Sequence, residues 1–257
     1  MKILVCLKQT FDTEAKIVLD ENGKIERQGV SLIMNPYDEF AVEEALRLKE
    51  NQGEGEVTVI SVGGQQTQDA LRQALAMGAD KAVLVDPGDV ELDEYSTATI
   101  LAKVISGMEY DIILGGFRAI DDGSAQVAGR VAEILNIPVV NMITKLEVAD
   151  GKAVATREIE GGSEVVEVPL PAVLTAQKGL NEPRYPSMKG IMKAKKKPMQ
   201  KMTLADVGLE EGQIAPKVKA ISFSLPEPRK AGKIIPGEPA EAARELARLL
   251  REEAKVV

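Results

Sequence analysis

The chain up to Asn141 alternates short, wholly apolar segments with longer segments whose apolar residues recur at helical spacing. In chain order these segments read KILVCL, PYDEFAVEEALRLKEN, VTVISVG, TQDALRQALAMG, KAVLVD, STATILAKVIS, DIILGG, GSAQVAGRVAEIL and IPVV. A strand that is apolar throughout is typical of a parallel sheet whose two faces are both covered by helices. The pattern therefore predicts an α/β fold with an open, doubly wound, mostly parallel sheet in three αβα layers.

Beyond Asn141 the pattern changes to short segments of strand-like alternation separated by turn signals. The pairs Asp150-Gly151 and Gly161-Gly162 are typical of β-hairpin turns. We therefore expect an antiparallel extension of the same sheet.

Proline, lysine and glycine accumulate from about Pro183, and helical periodicity returns only in PAEAARELARLLREEAK. We expect the segment from about Tyr185 to Pro236 to bury little apolar surface by itself, so that it is either flexible or lies on another chain, and we favour the second. The last helix supports this, because it has one apolar stripe that needs a cover. The stripe consists of Ala242, Leu246, Leu249 and Leu250. The expected division is a nucleotide-binding α/β domain at 1–183, followed at 184–257 by a partner-recognition loop and an extended C-terminal arm.

Histidine and tryptophan are absent, and Cys6 is the single cysteine. This composition excludes Ser-His-Asp and Cys-His nucleophile systems, imidazole and thiolate metal sites, and intrachain disulfides. The apolar runs are far shorter than the roughly 20 residues that span a bilayer, and MKILVCLKQ reads as a strand instead of a signal peptide. We therefore expect a soluble, cytoplasmic protein without a metal site. A net charge of -8 disfavours nucleic acid as a partner.

One basic cluster interrupts this acidic chain between Lys178 and Lys201. Eight lysines and arginines stand there against one acid, Glu182, which gives a local sum of +7. A solvated run of charges is the ordinary explanation, but apolar side chains are interleaved with these charges. They are Tyr185, Met188, Ile191 and Met192. Exposed apolar residues inside a basic segment indicate a docking surface.

Ligands of open α/β sheets bind beyond the carboxyl ends of the strands, where helix N-termini offer free backbone N–H groups. The segment LGGFRAIDDGSAQVAGR predicts such a strand end at Gly115-Gly116 and a helix start near Gly123 or Ser124. A tight strand-to-helix connection explains these glycines equally well, because the segment matches neither GxGxxG nor GxxxxGK[ST].

Three further connections point to the same edge of the sheet. Asn35-Pro36 opens a predicted helix that has Asp38 in its first turn, although plain helix capping would also explain these residues. Cys6 ends the first predicted strand, and Val62-Gly63 ends the strand VTVISVG. If these loops converge, they form a nucleotide crevice.

Six segments of the chain match one family. They are MNPYDEFAVEEALRLKE, ALAMGADKAVLV, AIDDGSAQV, REIEGG, LPAVLTA and LNEPRYPSMKGIMKAKKKP. Over nearly its whole length the sequence resembles the electron transfer flavoprotein β subunit, and the last segment is long and unlike other common proteins. The resemblance implies an adenine nucleotide alpha hydrolase-like fold and a heterodimer with an α subunit. FAD would lie mainly on the α subunit, while this chain would hold AMP in a structural role.

Carried over by position, the resemblance assigns a set of nucleotide contacts to the crevice. They are Cys6, Asn35, Pro36, Tyr37, Asp38, Val62, Gly116, Phe117, Arg118, Ala119, Ile120, Asp121, Asp122, Gly123, Ser124, Ala125, Gln126 and Val127. It also places Tyr37 near the flavin ring, whereas Thr13 occupies a place where some relatives carry tyrosine. Glu158, in REIEGG, matches an acidic residue that biases the motion of the flavin-bearing domain, and a solvated glutamate is the alternative.

The resemblance further implies a recognition loop that anchors acyl-CoA dehydrogenases or similar flavin dehydrogenases through Met188, where many relatives carry leucine. The partner-binding residues would be Arg184, Tyr185, Met188, Ile191, Met192, Lys193, Lys195, Lys196 and Lys197. Electrons would enter there and leave to an electron transfer flavoprotein-quinone oxidoreductase, as in fatty acid oxidation. The flavin would supply the redox chemistry, so no residue of this chain is expected to be catalytic.

Two other functions stay open. In flavin-bifurcating members of the family a second FAD replaces AMP in the β subunit, and Ser96 to Thr99 would line this longer ligand. A free-standing nucleotide-binding enzyme or an ATP-sensing domain of the same fold is the second alternative, although the chain has no P-loop. Nucleic-acid binding by the lysine cluster has little aromatic support beyond Tyr185.

Overall fold

The computed structural model of the chain describes residues 1–26, 28–229 and 231–257. The strands are β1 (Lys2–Cys6), β2 (Gln9–Phe11), β3 (Leu32–Met34), β4 (Glu56–Val62), β5 (Lys81–Asp86), β6 (Ile112–Gly116), β7 (Val139–Ala149), β8 (Lys152–Ile159), β9 (Gly162–Pro169), β10 (Val173–Ala176) and β11 (Met199–Thr203). The α-helices are α1 (Pro36–Gln52), α2 (Gln68–Met77), α3 (Glu94–Ile105), α4 (Val127–Leu135), α5 (Met188–Ala194) and α6 (Pro239–Glu252). Short 3₁₀ turns occur at Gln65–Thr67 and Glu211–Ile214.

One large sheet joins nine of the described strands in the order β11-β5-β4-β1-β6-β10-β7-β8-β9. Each neighbouring pair from β11 to β7 is parallel, and the pairs β7–β8 and β8–β9 are antiparallel. β2 and β3 form a separate antiparallel ribbon between β1 and α1. The predicted α/β class, with an open, doubly wound and mostly parallel sheet, is confirmed.

Helices cover both faces of the parallel part and complete the three layers. α1 and α2 pack on one face, and α3 and α4 pack on the other. Side chains along a strand alternate between these two cores, so that Val5 and Val59 lie under α1 and α2, whereas Leu4 and Ile60 lie under α3 and α4. Because both faces are covered, the strands read as continuous apolar runs.

The antiparallel extension forms from β7, β8 and β9, as expected. In the first connection Asp150 and Gly151 have φ angles of 51° and 74°, the positive values of a type I′ turn. The second turn lies one residue earlier than predicted, because Ile159 pairs with Gly162 and the turn occupies 160–161. The chain then re-enters the parallel sheet through β10, between β6 and β7.

The segment after Pro183 is built more deeply into the fold than its composition indicates. α5 packs on α2, and β11 extends the sheet as a parallel edge strand beside β5. Farther along, Val207, Leu209 and Ile214 are buried in the core under α3 and α4. The expectation that this segment buries little apolar surface is therefore wrong as far as Ile214. The division into two domains at residue 183 stays a prediction.

The C-terminal arm, residues 215–257, has no buried residue among those described. Its root is tied to the N-terminus of α3, because the Asp93 carboxylate accepts hydrogen bonds from the backbone N–H groups of Lys217 (2.6 Å) and Val218 (2.9 Å). Beyond this point most of the described residues are exposed, and Ile221 reaches 99% exposure. α6 is helical as predicted, but it packs its apolar stripe on nothing that would bury it.

Candidate functional site

The carboxyl ends of β1, β4 and β6 meet where the strand order reverses. From β1 the chain runs outward to β4 and β5 on one side, while β6 and β10 lie on the other side. Cys6 at the end of β1 pairs with Ile60 of β4 and with Gly115 of β6. Open α/β sheets bind their ligands at such a switch point. The structure thus brings together the strand ends that the sequence assigns to a crevice.

Asn35, just before α1, ties the loop after β6 to the rest of this edge. The residue is buried, and its side-chain Nδ2 donates to the Arg118 carbonyl at 2.9 Å. Its Oδ1 accepts from the Ile120 N–H at 3.2 Å, and its backbone N–H donates to the Lys8 carbonyl at 2.9 Å. The side chain does not cap α1. Plain helix capping is therefore the wrong explanation for Asn35, which holds a distant loop instead.

Asp38, in the first turn of α1, makes a second buried tie. Its Oδ2 accepts from the Lys8 backbone N–H at 2.6 Å, and its Oδ1 accepts from the Gly116 N–H at 2.8 Å. Burial raises the pKa of this carboxyl to about 7, although the backbone hydrogen bonds act in the opposite direction. Gly116 has to be glycine, because a Cβ there would lie 2.4 Å from Asp38 Oδ1 and 2.7 Å from Tyr37 Cβ.

Lys8, just beyond β1, fixes the tip of the loop that follows β6. Its ammonium nitrogen lies 2.7 Å from the Asp121 carboxylate and 2.6 Å from the Asp122 carboxylate. Burial lowers the pKa of the ammonium group, but the two carboxylates outweigh this, so the pKa of Lys8 is raised. One lysine thus links the end of β1 to the start of α1 through its backbone and to the loop after β6 through its side chain.

Helix α4 begins at Val127, so the helix start predicted near Gly123 or Ser124 is wrong. Gly123 and Ala125 have φ angles of 64° and 55°, which are left-handed values that an α-helix does not contain. The Ser124 N–H donates to the Asp122 carboxylate at 2.9 Å in a side-chain-mediated turn. The loop therefore extends several residues farther than its sequence suggests.

The first turn of α4 offers an anion site. The leading N–H groups of an α-helix have no acceptor within the helix. The N-cap residue Gln126 leaves them uncapped, because its side-chain oxygen accepts instead from the Arg130 guanidinium at 2.7 Å and 3.2 Å. The backbone at Gly123 is also open, since a Cβ there would meet nothing within 4 Å. These groups fit a phosphate.

Two aromatic rings and an arginine form a stack beside the crevice. Tyr37 and Phe117 meet edge to face with their ring centroids 4.5 Å apart. The Arg118 guanidinium carbon lies 5.6 Å from the Tyr37 centroid and 5.0 Å from the Phe117 centroid, which is cation–π range. These three residues give this edge an aromatic surface that carries a positive charge.

The ionisable groups at this edge are engaged in contacts within the chain or, in the case of Cys6, are kept neutral. Burial raises the pKa of the Cys6 thiol to about 12, so the thiol is neutral at physiological pH. Within 1–26, 28–229 and 231–257, no cluster of three or more histidine, cysteine, aspartate or glutamate side chains is placed to hold a metal ion. The helices of the same ranges include none with the length and apolarity needed to cross a membrane.

Two surface pockets lie elsewhere, at the amino-terminal edge of the parallel strands. One is lined by residues that include Lys2, Glu56 and Glu109, and the other by residues that include Asp111 and Asp150. Neither pocket contains a residue that the sequence assigns to the nucleotide.

The predicted partner-binding residues gather on α5 and the turns beside it. Four of them, Tyr185, Met188, Ile191 and Met192, are apolar and 95%, 78%, 44% and 69% exposed. We term these four residues the α5 surface. Three exposed lysines adjoin it, namely Lys193, Lys195 and Lys196. The interleaving of basic and apolar residues therefore becomes one exposed patch.

Two of the predicted partner-binding residues are engaged within the chain. The Arg184 guanidinium donates to the carboxylates of Glu43 and Glu50 on α1, at 2.6 to 3.0 Å. The Lys197 ammonium group donates to three backbone carbonyls at the end of α2. Sequence reasoning missed Asn181, whose Nδ2 donates to α1 at Phe40 O (3.0 Å) and at a glutamate carboxylate (2.9 Å).

Glu158 lies in β8, opposite Ser163 of β9, and is exposed. The structure thus places it in the antiparallel extension and not among the loops at the switch point. Its role in domain motion stays a prediction.

Comparisons with known proteins agree with this architecture. The family model described as the electron transfer flavoprotein domain matches residues 22–207. The chain is 52% identical over 259 residues to the electron transfer flavoprotein subunit beta of Bacillus subtilis, with all of both chains covered. It is 52% identical to the protein of that name from Syntrophomonas wolfei, over all of this chain and 98% of the relative. The caffeyl-CoA reductase-Etf complex subunit CarD of Acetobacterium woodii is 38% identical over 92% of each chain. The chain belongs to the electron transfer flavoprotein family, as a β subunit.

Proposed function

We propose that this chain is the nucleotide-holding subunit of a heterodimeric electron transfer flavoprotein and works as an electron carrier, not as a free-standing enzyme. The observation that carries the proposal is the uncovered C-terminal arm. It exposes Ile221, Phe223 and Leu225 to 99%, 46% and 53%, and beyond them α6 buries no residue and leaves Leu246 47% exposed. Apolar residues exposed over such a length need a second chain to cover them. The α subunit is the proposed cover.

AMP is the proposed ligand of the crevice at the ends of β1, β4 and β6. The uncapped N–H groups of α4 fit its phosphate, and the open backbone at Gly123 allows a close approach. The buried ties of Asn35 and Asp38 hold the loop in place in advance, so that binding does not have to order it. The proposed contacts are those that the resemblance assigned.

FAD is the proposed redox cofactor, shared with the α subunit. When bound, the flavin supplies the electron-transfer chemistry. The contribution of this chain is to bind, orient and exclude water. Tyr37, Phe117 and Arg118 form the part of its surface that fits an aromatic ring system such as the flavin. No side chain is asked to transfer a proton, in keeping with the lack of histidine and the neutral Cys6 thiol.

The α5 surface is the proposed docking site for acyl-CoA dehydrogenases or similar flavin dehydrogenases, with Met188 as its anchor. Methionine is flexible and polarizable, which suits an anchor that meets more than one partner. The adjoining lysines favour an acidic rim on the dehydrogenase. We propose that electrons leave to a quinone oxidoreductase. We also propose that the complex works in the cytoplasm, because a chain with one cysteine forms no intrachain disulfide and therefore suits a reducing compartment.

A bifurcating subunit, with a second FAD in place of AMP, is the alternative function. The two functions differ in nucleotide content, so we would co-express the chain with its α partner, denature the purified heterodimer and quantify the released nucleotides by chromatography. One FAD and one AMP per heterodimer is the expected result. Two FAD without AMP would establish the alternative, and a heterodimer with neither nucleotide would contradict both.

The docking proposal has its own test in Met188→Ala. We expect the KM for the heterodimer to rise about tenfold in an assay with a short-chain acyl-CoA dehydrogenase and butyryl-CoA, because the side chain that the dehydrogenase would bury is lost. FAD and AMP content should not change. Val165→Ala is the matched control, since Val165 is 67% exposed on β9, outside the α5 surface. An equal KM for both variants would refute Met188 as the anchor.

A further inference from the structure

Helix α5 is too short to keep its conformation unaided. It has seven residues, whereas isolated helices shorter than about 12 residues are marginal in water. Its outer side carries the exposed Met188 and Met192, which contribute little to holding it on the fold. Contacts on its inner side therefore have to set its orientation.

The inner side of α5 lies on the C-terminal end of α2. Gly190 packs so closely there that a Cβ would lie 2.3 Å from the Ala76 carbonyl oxygen. Ala194 is buried, and its carbonyl accepts a hydrogen bond from the Arg72 guanidinium at 2.7 Å. Ser187 caps the start of the helix by accepting the Gly190 N–H at 3.0 Å. These contacts fix the helix at one packing site, on the last turn of α2.

Lys197, which follows α5, adds further hydrogen bonds to the end of α2. Its ammonium group donates to the carbonyls of Leu75 (3.0 Å), Gly78 (3.1 Å) and Ala79 (2.5 Å), of which the first lies in the last turn of α2 and the other two follow it directly. A cation at the C-terminus of a helix is also favoured by the helix dipole. Because Lys197 follows α5 by three residues, its hold on α2 pins the outgoing chain, while Arg184 pins the incoming chain on α1.

We propose that Lys197 is a positioning residue of the partner-docking surface, which fixes α5 so that Met188 and Met192 face outward in one orientation. This inference rests on the proposed function of the α5 surface. A surface that is ordered before the encounter does not lose conformational freedom on binding, so partner affinity depends on the residue that orders it. Lys197 acts through α5 and is not itself presented to the partner.

The neighbouring Lys196 supplies a matched control, because it is exposed and carries the same charge one position earlier. We would compare Lys197→Gln, Lys197→Arg and Lys196→Gln in the assembled heterodimer. The assay uses a short-chain acyl-CoA dehydrogenase with butyryl-CoA and reports KM for the heterodimer and kcat. Hydrogen exchange of the α5 amides and the FAD and AMP content are measured on the same samples.

Lys197→Gln should raise KM about tenfold with kcat unchanged and should speed exchange of the α5 amides about tenfold, since the short neutral side chain loses its hold on α2. Lys196→Gln should change KM by less than about threefold, through charge alone. Lys197→Arg should restore most of the affinity, because it keeps a cation at the helix end. If Lys197→Gln does not fold, Arg72→Gln removes the adjacent contact to Ala194. It should likewise raise KM, leave kcat unchanged and speed exchange of the α5 amides.

The outcomes separate the inference from the function on which it rests. If Met188→Ala raises KM but Lys197→Gln behaves like Lys196→Gln, the positioning role of Lys197 is refuted and the docking site stands. If neither Met188→Ala nor Lys197→Gln raises KM, the α5 surface is not the docking site. Unchanged exchange of the α5 amides in Lys197→Gln would also overturn the positioning role.

Discussion

Helices α2 and α6 have the same kind of amphipathic pattern but opposite fates. α2 buries six of its ten residues between the sheet and α5, whereas α6 buries none of its fourteen. The difference lies in what is near them, because α2 follows a strand of the sheet and α6 follows an exposed stretch of the arm. A pattern of apolar residues thus shows that a helix needs a cover, but not whether the same chain provides it.

The largest difference between the two regions should appear when one leucine of each helix is shortened. Leu71 of α2 is 0% exposed, and Leu246 of α6 is 47% exposed. Leu71→Ala should lower the free energy of unfolding of the isolated chain by about 3 kcal/mol, through lost burial and the cavity left behind. Leu246→Ala should change it by less than about 0.5 kcal/mol. Urea unfolding followed by circular dichroism measures both.

Equal losses in the two variants would contradict the comparison, because they would mean that α6 already packs on the body. In the heterodimer Leu246→Ala should cause a larger loss of stability than in the isolated chain, since Leu246 is then proposed to be covered by the α subunit.

A smaller effect on the free energy of unfolding is expected from Asp38, which is buried in the α/β sheet region and lies outside the C-terminal arm. Its native pKa is raised to about 7 by burial, while an unfolded aspartate titrates near about 3.9. The native state therefore holds the proton over a range of pH in which the unfolded state has lost it. The resulting contribution to stability is complete below about pH 4, declines as the pH rises towards 7, and is absent above that.

Comparison with Asp38→Asn isolates this contribution, because the other titrating groups are common to both proteins. The free energy of unfolding of the wild type minus that of the variant should fall by about 2 kcal/mol between about pH 5 and about pH 7.5. Urea titrations at intervals of pH provide the measurement. A difference that grows with pH would mean that the two backbone N–H donors outweigh burial.

The smallest effect on folding should come from the largest deletion. Removal of residues 221–257 leaves the Asp93 contacts to Lys217 and Val218 intact and takes away a segment in which no described residue is buried. The free energy of unfolding of the isolated chain should change by less than about 0.5 kcal/mol. Sedimentation velocity with the α subunit should nevertheless show that the heterodimer no longer forms. A marked loss of stability would show that the arm packs on its own body.

The parallel sheet was predictable because each of its central strands is apolar on both faces, which is a local signal. β11 was missed because its sequence, MQKMT, is an edge strand with exposed polar residues and follows a run of lysines. The start of α4 was misplaced because Ala125 adopts a left-handed conformation, for which alanine gives no sequence signal.

The hydrogen bonds that shape the candidate sites could not be predicted from neighbouring residues, because their partners are far apart in the sequence. Asn35 reaches Arg118 across 83 residues, and Arg184 reaches Glu43 across 141 residues. Such pairs are set by the order of the strands and by which helices lie side by side. The residue types suggested hydrogen bonding, but only the fold shows with which partners.

The uncovered arm also bears on how long the chain survives in a cell. Because the body is expected to fold without the arm, a newly made subunit can be fully folded and still display a long exposed segment until its partner arrives. Exposed extended chain is what proteases cut most readily. The arm would therefore mark unassembled subunits for turnover, and the supply of α subunit would set the half-life of this one.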